Sequence, residues 1–351
     1  MPSDTICPLP ASDQHNMLSL DQNLNLPRNV HIPSVEGQLS LRLRSIHWYR
    51  QEPWAVTGRI LIVVSGSEAA GRAGALYTTC MRPVCFLSDF GLADDFAGTC
   101  KGVMLRVAPG VSIVDLTHEV PGFGVEAGAE ILRHATRYMP ADTVYLAVVD
   151  PGVGTERRGI ALRSQSGALL VGPDNGLLVQ AAESLGGISG ACALTEARFH
   201  LRPVSNTFHG RDVFAPVAAH LAAGVGLSDL GDPVDPFSLV RLGPVGALVD
   251  EEGGFVAHII SIDRFGNARL SIMQEESGLG YGDALKVDAG DGGMSVRYVE
   301  TFGSAKAGEL VLVPDSHWRL SLAINKGSAA QALSLEVGGK VRLILPTDHG
   351  D

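Results

Sequence analysis

The sequence predicts an α/β domain built on a parallel sheet, followed by a small antiparallel β-barrel. Two textures carry that expectation. Between residues 84 and 223, short apolar runs alternate with helical stretches; after about Leu242, short alternating runs are separated by Gly, Asp and Pro turns. The composition agrees. The 351 residues are 45% apolar and only 19% charged, enough for two ordinary domains with sizeable cores.

The first domain is expected over residues 83–242. An apolar run at 84–87 reads as a buried strand and leads into the polar loop SDFGLADD; residues 96–107 then show apolar positions at helical spacing. A second strand is expected at 111–116, a second amphipathic helix at 125–138 and a third strand at 144–149, ending in DPGVGTERR. Strands at 160–163 and 169–171 follow, then the loop PDNG, a helix from Leu177 and a last helix at 212–223. Strand–helix–strand alternation of this kind favours parallel pairing with crossover helices. A linker is placed at 243–254 and the barrel at 255–346, with strands at 256–262, 284–287, 295–299, 310–313, 320–324 and 341–345. Residues 1–80 contain no Lys and hold Trp48 and Trp54, two of the three tryptophans. They show no sustained period, so this stretch is expected to be a disordered or misannotated extension, with one isolated strand candidate at 59–65.

Charge and composition exclude several function classes. A formal net charge of −11 speaks against a nucleic-acid partner, which needs a basic stripe. The five cysteines form no CxxC pair and their odd number fits no closed disulfide framework, so reduced thiols are expected. No apolar run approaches the roughly 20 residues of a membrane span, and the start MPSDTICPLP lacks the features of a secretory signal. A soluble, cytoplasmic protein is expected, without a membrane or nucleic-acid partner.

Ligands of open α/β sheets bind beyond the carboxyl ends of the strands. Polar loops occupy those places: SDFG with Asp94 and Asp95, then Thr117-His118-Glu119, then the Asp150–Arg157 loop; a fourth cluster, FHGRD, opens a helix. His118 and His220, taken singly, read as hydrogen-bonded structural residues. Neither GxGxxG nor a Walker A sequence is present, so standard dinucleotide and P-loop binding lack support. The Gly152 and Gly154 pair reads as a tight turn. Asp89, Asp94, Asp95, His118, Asp150, Asp174 and His209 offer hard ligands for a metal-dependent hydrolase, but no HExxH or H-x-x-H spacing backs that reading.

Taken together, SDFG with the Asp pair, DPGVGTERR, PDNGLL, TFHGRD and IDRFGN resemble, in order and spacing from about Pro83 to Pro346, the S-adenosyl-L-methionine hydroxide adenosyltransferase family. These are hydrolytic relatives of the fluorinase and chlorinase. The resemblance implies an α/β domain and a C-terminal barrel. It also implies a homotrimer with sites between subunits, S-adenosyl-L-methionine as substrate, and no cofactor or metal. Asp89 then holds the ribose hydroxyls and Asp94 lies in the loop at the methionine end. Phe123 stands where the fluorinase has a Trp, and Asp263, Asn267 and Phe302 serve the adenine side. The hydrolytic relatives carry an Asp–Arg–His set near the reacting carbon, matched by Asp150, Arg157 and His209. Gly210 fits a chlorinase-like site as well, which leaves a halogenase as the rival; the intact trio speaks against it. A non-catalytic adenosine-binding module would not need the trio.

Overall fold

The computed structural model describes residues 81–243, 246, 248–249, 254–290 and 292–344, and the backbone of four earlier strands. Those are β1 (Asn29–Ser34), β2 (Gly37–His47), β3 (Ile60–Ser65) and β4 (Gly74–Thr78), paired antiparallel in chain order. The strand expected at 59–65 thus has two partners, β2 and β4. The rest of the expected 1–80 extension lies outside the described residues, as do most of the linker and the stretch 345–351.

The α/β domain comprises β5 (Val84–Ser88), α1 (Phe96–Val107), β6 (Ile113–Thr117), α2 (Val125–Ala135), β7 (Val144–Val148), β8 (Gly159–Ser164), β9 (Leu169–Pro173), α3 (Val179–Ser184), β10 (Ile188–Ala193) and α4 (Ala215–Ala222). Its sheet runs β10-β8-β9-β7-β5-β6. The pairs from β9 to β6 are parallel, whereas β8 and β10 add an antiparallel flank. Both faces are covered, which is why the central strands are continuous apolar runs. Val84, Phe86, Val144, Leu146 and Val148 pack toward α1 and α4. Cys85, Leu87, Tyr145, Ala147 and Val149 point the other way, toward α2 and α3. That alternation is the period-2 geometry of a strand.

Two details differ from expectation. Helix α2 stops at Ala135 instead of continuing to 138, because bonding after Thr136 tightens to three-residue turns ahead of Pro140. Strand β10 lies outside the expected set: ISGACA carries no large alternating side chains, and a bulge interrupts its pairing between Ile188 and Gly190.

In the barrel domain, β11 (Leu248–Val249) pairs with β12 (Phe255–Ile262), followed by β13 (Ala268–Met273), β14 (Ala284–Asp288), β15 (Met294–Tyr298), β16 (Leu310–Pro314), β17 (Arg319–Ile324), the one-turn helix α5 (Ala329–Ala332) and β18 (Lys340–Ile344). The order β12-β13-β17-β16-β15-β14-β18 closes on itself through β12–β18. Its interior is filled by Ile259, Leu270, Leu285, Val296, Leu312, Leu322 and Leu343 among others. Strand β13 was also missing from the expected set, since it follows the IDRFGN turn with no break. The two domains meet where Arg319 of β17 reaches Glu130 of α2, 2.9 Å from Nε to Oε1, and where His134 stacks on His317 with ring centroids 3.4 Å apart. No helix among the described residues is long and apolar enough to cross a membrane.

Candidate active site

Asp150, Arg157 and His209 come together beyond the carboxyl end of β7. Arg157 is the centre of the set. Its Nε donates to Asp150 Oδ1 at 2.8 Å, its Nη2 pairs with Asp150 Oδ2, and Nη2 also donates to His209 Nδ1 at 3.0 Å. The Asp150 and Arg157 side chains are only 6% and 13% exposed, so the fork is held out of bulk water. Below the guanidinium lies the Phe214 ring, its centroid 5.0 Å from Cζ. Among the described residues, Nη1 of Arg157 has no hydrogen-bond partner.

Neighbouring loops impose this geometry. Asn175 of the PDNG turn donates from Nδ2 to Val149 O at 2.8 Å, and Arg158 pairs with Asp174 (Nε to Oδ2, 2.9 Å), bracing the 150–158 loop from both ends. Gly154 has φ +77°, and a Cβ there would lie 2.3 Å from Asn206 O. Only glycine lets this loop approach the 205–209 loop so closely. The second loop is anchored by buried Asp212, which accepts from Ser205 N at 2.8 Å and from Arg211 Nε at 2.7 Å. A π-helical turn, Gly210–Phe214, follows His209 at the head of α4; such turns recur at functional sites.

The tautomer of His209 follows from its partner. A guanidinium has no lone pair to offer, so Nδ1 must accept and the neutral ring carries its proton on Nε2. Burial first, then the Arg157 charge, lowers the imidazole pKa from its ordinary value of 6.5. His209 is therefore neutral near pH 7, presenting a donor at Nε2.

Asp89 sits just past β5 and accepts from Phe123 N at 2.9 Å. Phe123 is 75% exposed and holds φ +64°, an uncommon conformation for a bulky residue and one this bond helps to fix. The Asp89 and His209 loops touch through their aromatic neighbours, Phe90 and Phe208, packed edge to face at 5.8 Å. Gly210 lies under that pair: a Cβ there would come within 2.9 Å of Phe90 Cζ. Asp94 is exposed, and its neighbour Asp95 accepts from Thr99 Oγ1 at 2.8 Å at the start of α1.

The barrel residues form their own group. Asp263 accepts from Asn267 Nδ2 at 2.8 Å and from the backbone of Phe265 and Asn267, so the IDRFGN turn leaves Asn267 Oδ1 available as an acceptor. Phe302 opens a single helical turn and is 45% exposed. Among the described residues no hydrogen bond, ion pair or ring contact joins Asp263, Asn267 or Phe302 to Asp89, Asp150, Arg157 or His209.

The ligands considered for a metal are committed elsewhere. Asp150 serves Arg157, Asp174 serves Arg158, and His118 lies between Ser88 and Asp115. Among the described residues, no three His, Cys, Asp or Glu side chains gather in a way suited to a metal ion. Cys85 and Cys100 are core residues whose thiols burial pushes up to about 12, so neither is a nucleophile.

Two sequence signatures match this architecture. The SAM hydroxide adenosyltransferase N-terminal domain matches residues 84–231, and the C-terminal domain of the same description matches residues 257–342. The chain belongs to this family. It is 45% identical over 264 residues to the (R)-S-adenosyl-L-methionine hydrolase of Salinispora tropica, a match covering 74% of this chain and 97% of that protein. A fluorinase from Actinopolyspora mzabensis is 31% identical over 291 residues, covering 75% of this chain and 97% of its own. Among solved structures, an uncharacterized conserved protein from Thermotoga maritima superposes with a TM-score of 0.69 at 34% identity, covering 74% of this chain and 99% of that one.

Proposed function

We propose that this chain hydrolyses S-adenosyl-L-methionine to adenosine and L-methionine, with water attacking ribose C5′. The observation that carries this is the buried fork of Arg157, fixed by Asp150 and bonded to His209, on the loop beside Asp89. The match to proteins named (R)-S-adenosyl-L-methionine hydrolase supports it.

The reaction forms a C5′–O bond and breaks C5′–S. The bonding pair goes to sulfur, which departs as the neutral thioether of methionine, and water gives up one proton. The sulfonium leaves without acid assistance, so the site's task is to favour an attacking oxygen with hydroxide character. Arg157 Nη1 and His209 Nε2–H are the donors suited to it, in a setting with little water to compete. Asp150 fixes the guanidinium and sets its direction. Because Nδ1 is occupied by Arg157, His209 acts first as a donor; taking the water's proton requires that bond to open. Asp89 holds the ribose 2′ and 3′ hydroxyls, which suit a carboxylate acceptor, and Asp94 serves the methionine end.

This chemistry needs neither metal nor cofactor. In isotopically labelled water the label should appear on the adenosine 5′-oxygen, with a chelator present. Chloride or fluoride in excess should give little halogenated nucleoside. Halogenated adenosine as the main product would replace this reading with a halogenase.

The site is completed, in this reading, by the barrel of a neighbouring subunit in a homotrimer. Phe123, Phe265 and Phe302 are 75%, 69% and 45% exposed, an arrangement that suits burial against a second chain. Asn267 Oδ1 would accept from the adenine amino group, with Phe302 packed beside the base. Mixing Asp89→Ala chains with Asn267→Ala chains should then restore part of the activity that each lacks. A mixed oligomer without any rescue would mean that each pocket is built within one chain.

A further inference from the structure

A second polar chain lies behind Asp89. Lys101 Nζ donates to Asp115 Oδ2 at 2.9 Å, Asp115 Oδ1 lies 3.1 Å from His118 Nε2, and His118 Nδ1 lies 2.7 Å from Ser88 Oγ. Burial opposes ionisation of Asp115, yet the bonds from Lys101 and His118 hold its carboxyl below the usual range. An ionised carboxylate only accepts, so His118 donates from Nε2; in the neutral ring Nδ1 then accepts the Ser88 hydroxyl proton. The order of residues is that of a serine hydrolase. Ser88 is 0% and His118 3% exposed, however, so neither reaches a substrate.

What the chain does reach is the loop that carries Asp89. Ser88 Oγ accepts from Phe90 N at 3.4 Å, and Gly91 N donates to His118 O at 2.7 Å. Residues on both sides of Asp89 are thereby tied to His118. The next bond along is Asp89 Oδ2 to Phe123 N, which joins the same two loops at their tips. A buried hydrogen-bond chain of this kind fixes direction at a rim where exposed carboxylates otherwise sample several rotamers.

We propose that His118, acting through Ser88, is a positioning residue that aims the Asp89 carboxylate at the ribose hydroxyls. This rests on the ribose role given to Asp89 above. It separates the Ser88–His118–Asp115–Lys101 chain from the Asp150–Arg157–His209 set: one orients the sugar, the other serves the attacking oxygen. Loss of the first should therefore raise KM and weaken adenosine, leaving kcat at saturating substrate nearly unchanged.

The test is calorimetry of adenosine on the full-length chain, which reads ribose binding without turnover. Asp89→Ala should weaken adenosine at least about tenfold. Ser88→Ala and His118→Ala should each weaken it by roughly three- to tenfold, with kcat within about twofold. His118→Asn, whose amide reaches the position of Nδ1, should recover most of the loss. The deciding variant is Ser88→Ala combined with Asp89→Ala, which should bind no worse than Asp89→Ala alone. Additive losses, or an unchanged Ser88→Ala, would overturn the positioning role while leaving Asp89's own role standing. If Asp89→Ala itself left adenosine affinity unchanged, the ribose assignment would fall and this proposal with it. Should the buried variants fail to fold, the more exposed Lys101→Met should still weaken adenosine by about two- to threefold, and no change there would count against the proposal.

Discussion

His209→Ala is expected to lower kcat by roughly a hundred- to thousandfold, with kcat/KM falling in step and adenosine affinity little changed. In the proposed mechanism His209 Nε2–H has no task in holding the ribose and matters only as the attacking oxygen acquires negative charge. Arg157→Lys should be comparably damaging although the charge survives. A single ammonium cannot hold both carboxylate oxygens of Asp150 and also donate to Nδ1, as the guanidinium fork does. The pH profile should carry the same signature. Burial and the Arg157 charge place the folded pKa of His209 under its ordinary 6.5. Activity should hold as pH falls through neutrality and drop only below that value, when a protonated imidazole can no longer accept from Arg157. His209→Gln should erase that acid limb, because an amide oxygen accepts from Arg157 at every pH in the range. Stopped turnover assays across the acid range check all three variants. Normal kcat in His209→Ala would make the trio a structural pin for its loop.

Sequence patterning carried much of the architecture because its strands are buried on both faces or alternate cleanly. Val84–Ser88 and Val144–Val148 read as apolar runs, and α1 coincides with its expected bounds at 96–107. The elements that escaped have little side-chain signal: β10 is made of Ile, Ser, Gly, Ala and Cys, and β13 follows the IDRFGN turn without a break. At the site, the resemblance brought Asp150, Arg157 and His209 together on paper. Which of them is central was not legible, because residue types do not say that Arg157 stands between the other two. Nor could pattern reveal why Gly154 must lack a side chain, since the atom it would strike is a backbone oxygen more than 50 residues onward, at Asn206. Pattern marks His118 as a hydrogen-bonded structural residue, and the structure gives it two partners; pattern does not show that one of them, Ser88, adjoins Asp89.

The junction between the domains should be the chain's most sensitive stability element, and Glu130→Ala the variant that exposes it. Glu130 is buried in α2 and accepts from Arg133 (2.8 and 3.0 Å) and from Arg319 of β17 (2.9 and 3.4 Å). The Glu130 and Arg319 side chains are 2% and 5% exposed. Burial alone would raise the Glu130 pKa, but the two guanidinium groups hold it down to about 2. Removing the carboxylate leaves two cations facing each other, one of them Arg319, whose Nη1 already lacks a partner among the described residues. Breaking a buried pair from one side typically costs about 3–5 kcal/mol, which in a domain of this size lowers the melting midpoint by roughly 10 °C. The acid dependence has a definite sign. A carboxyl depressed from 4.5 to about 2 contributes stability that is fully present above 4.5 and is lost as pH falls toward 2. The displacement corresponds to roughly 3 kcal/mol, and Glu130→Gln should remove that part of the acid transition. Replacing Glu130, Arg133 and Arg319 together by methionine should recover much of the loss, because none of the three charges then stays buried without its partner. A Glu130→Ala chain that melts within a degree or two of the parent would mean that solvent reaches these guanidinium groups and that the domains are held by apolar contact alone.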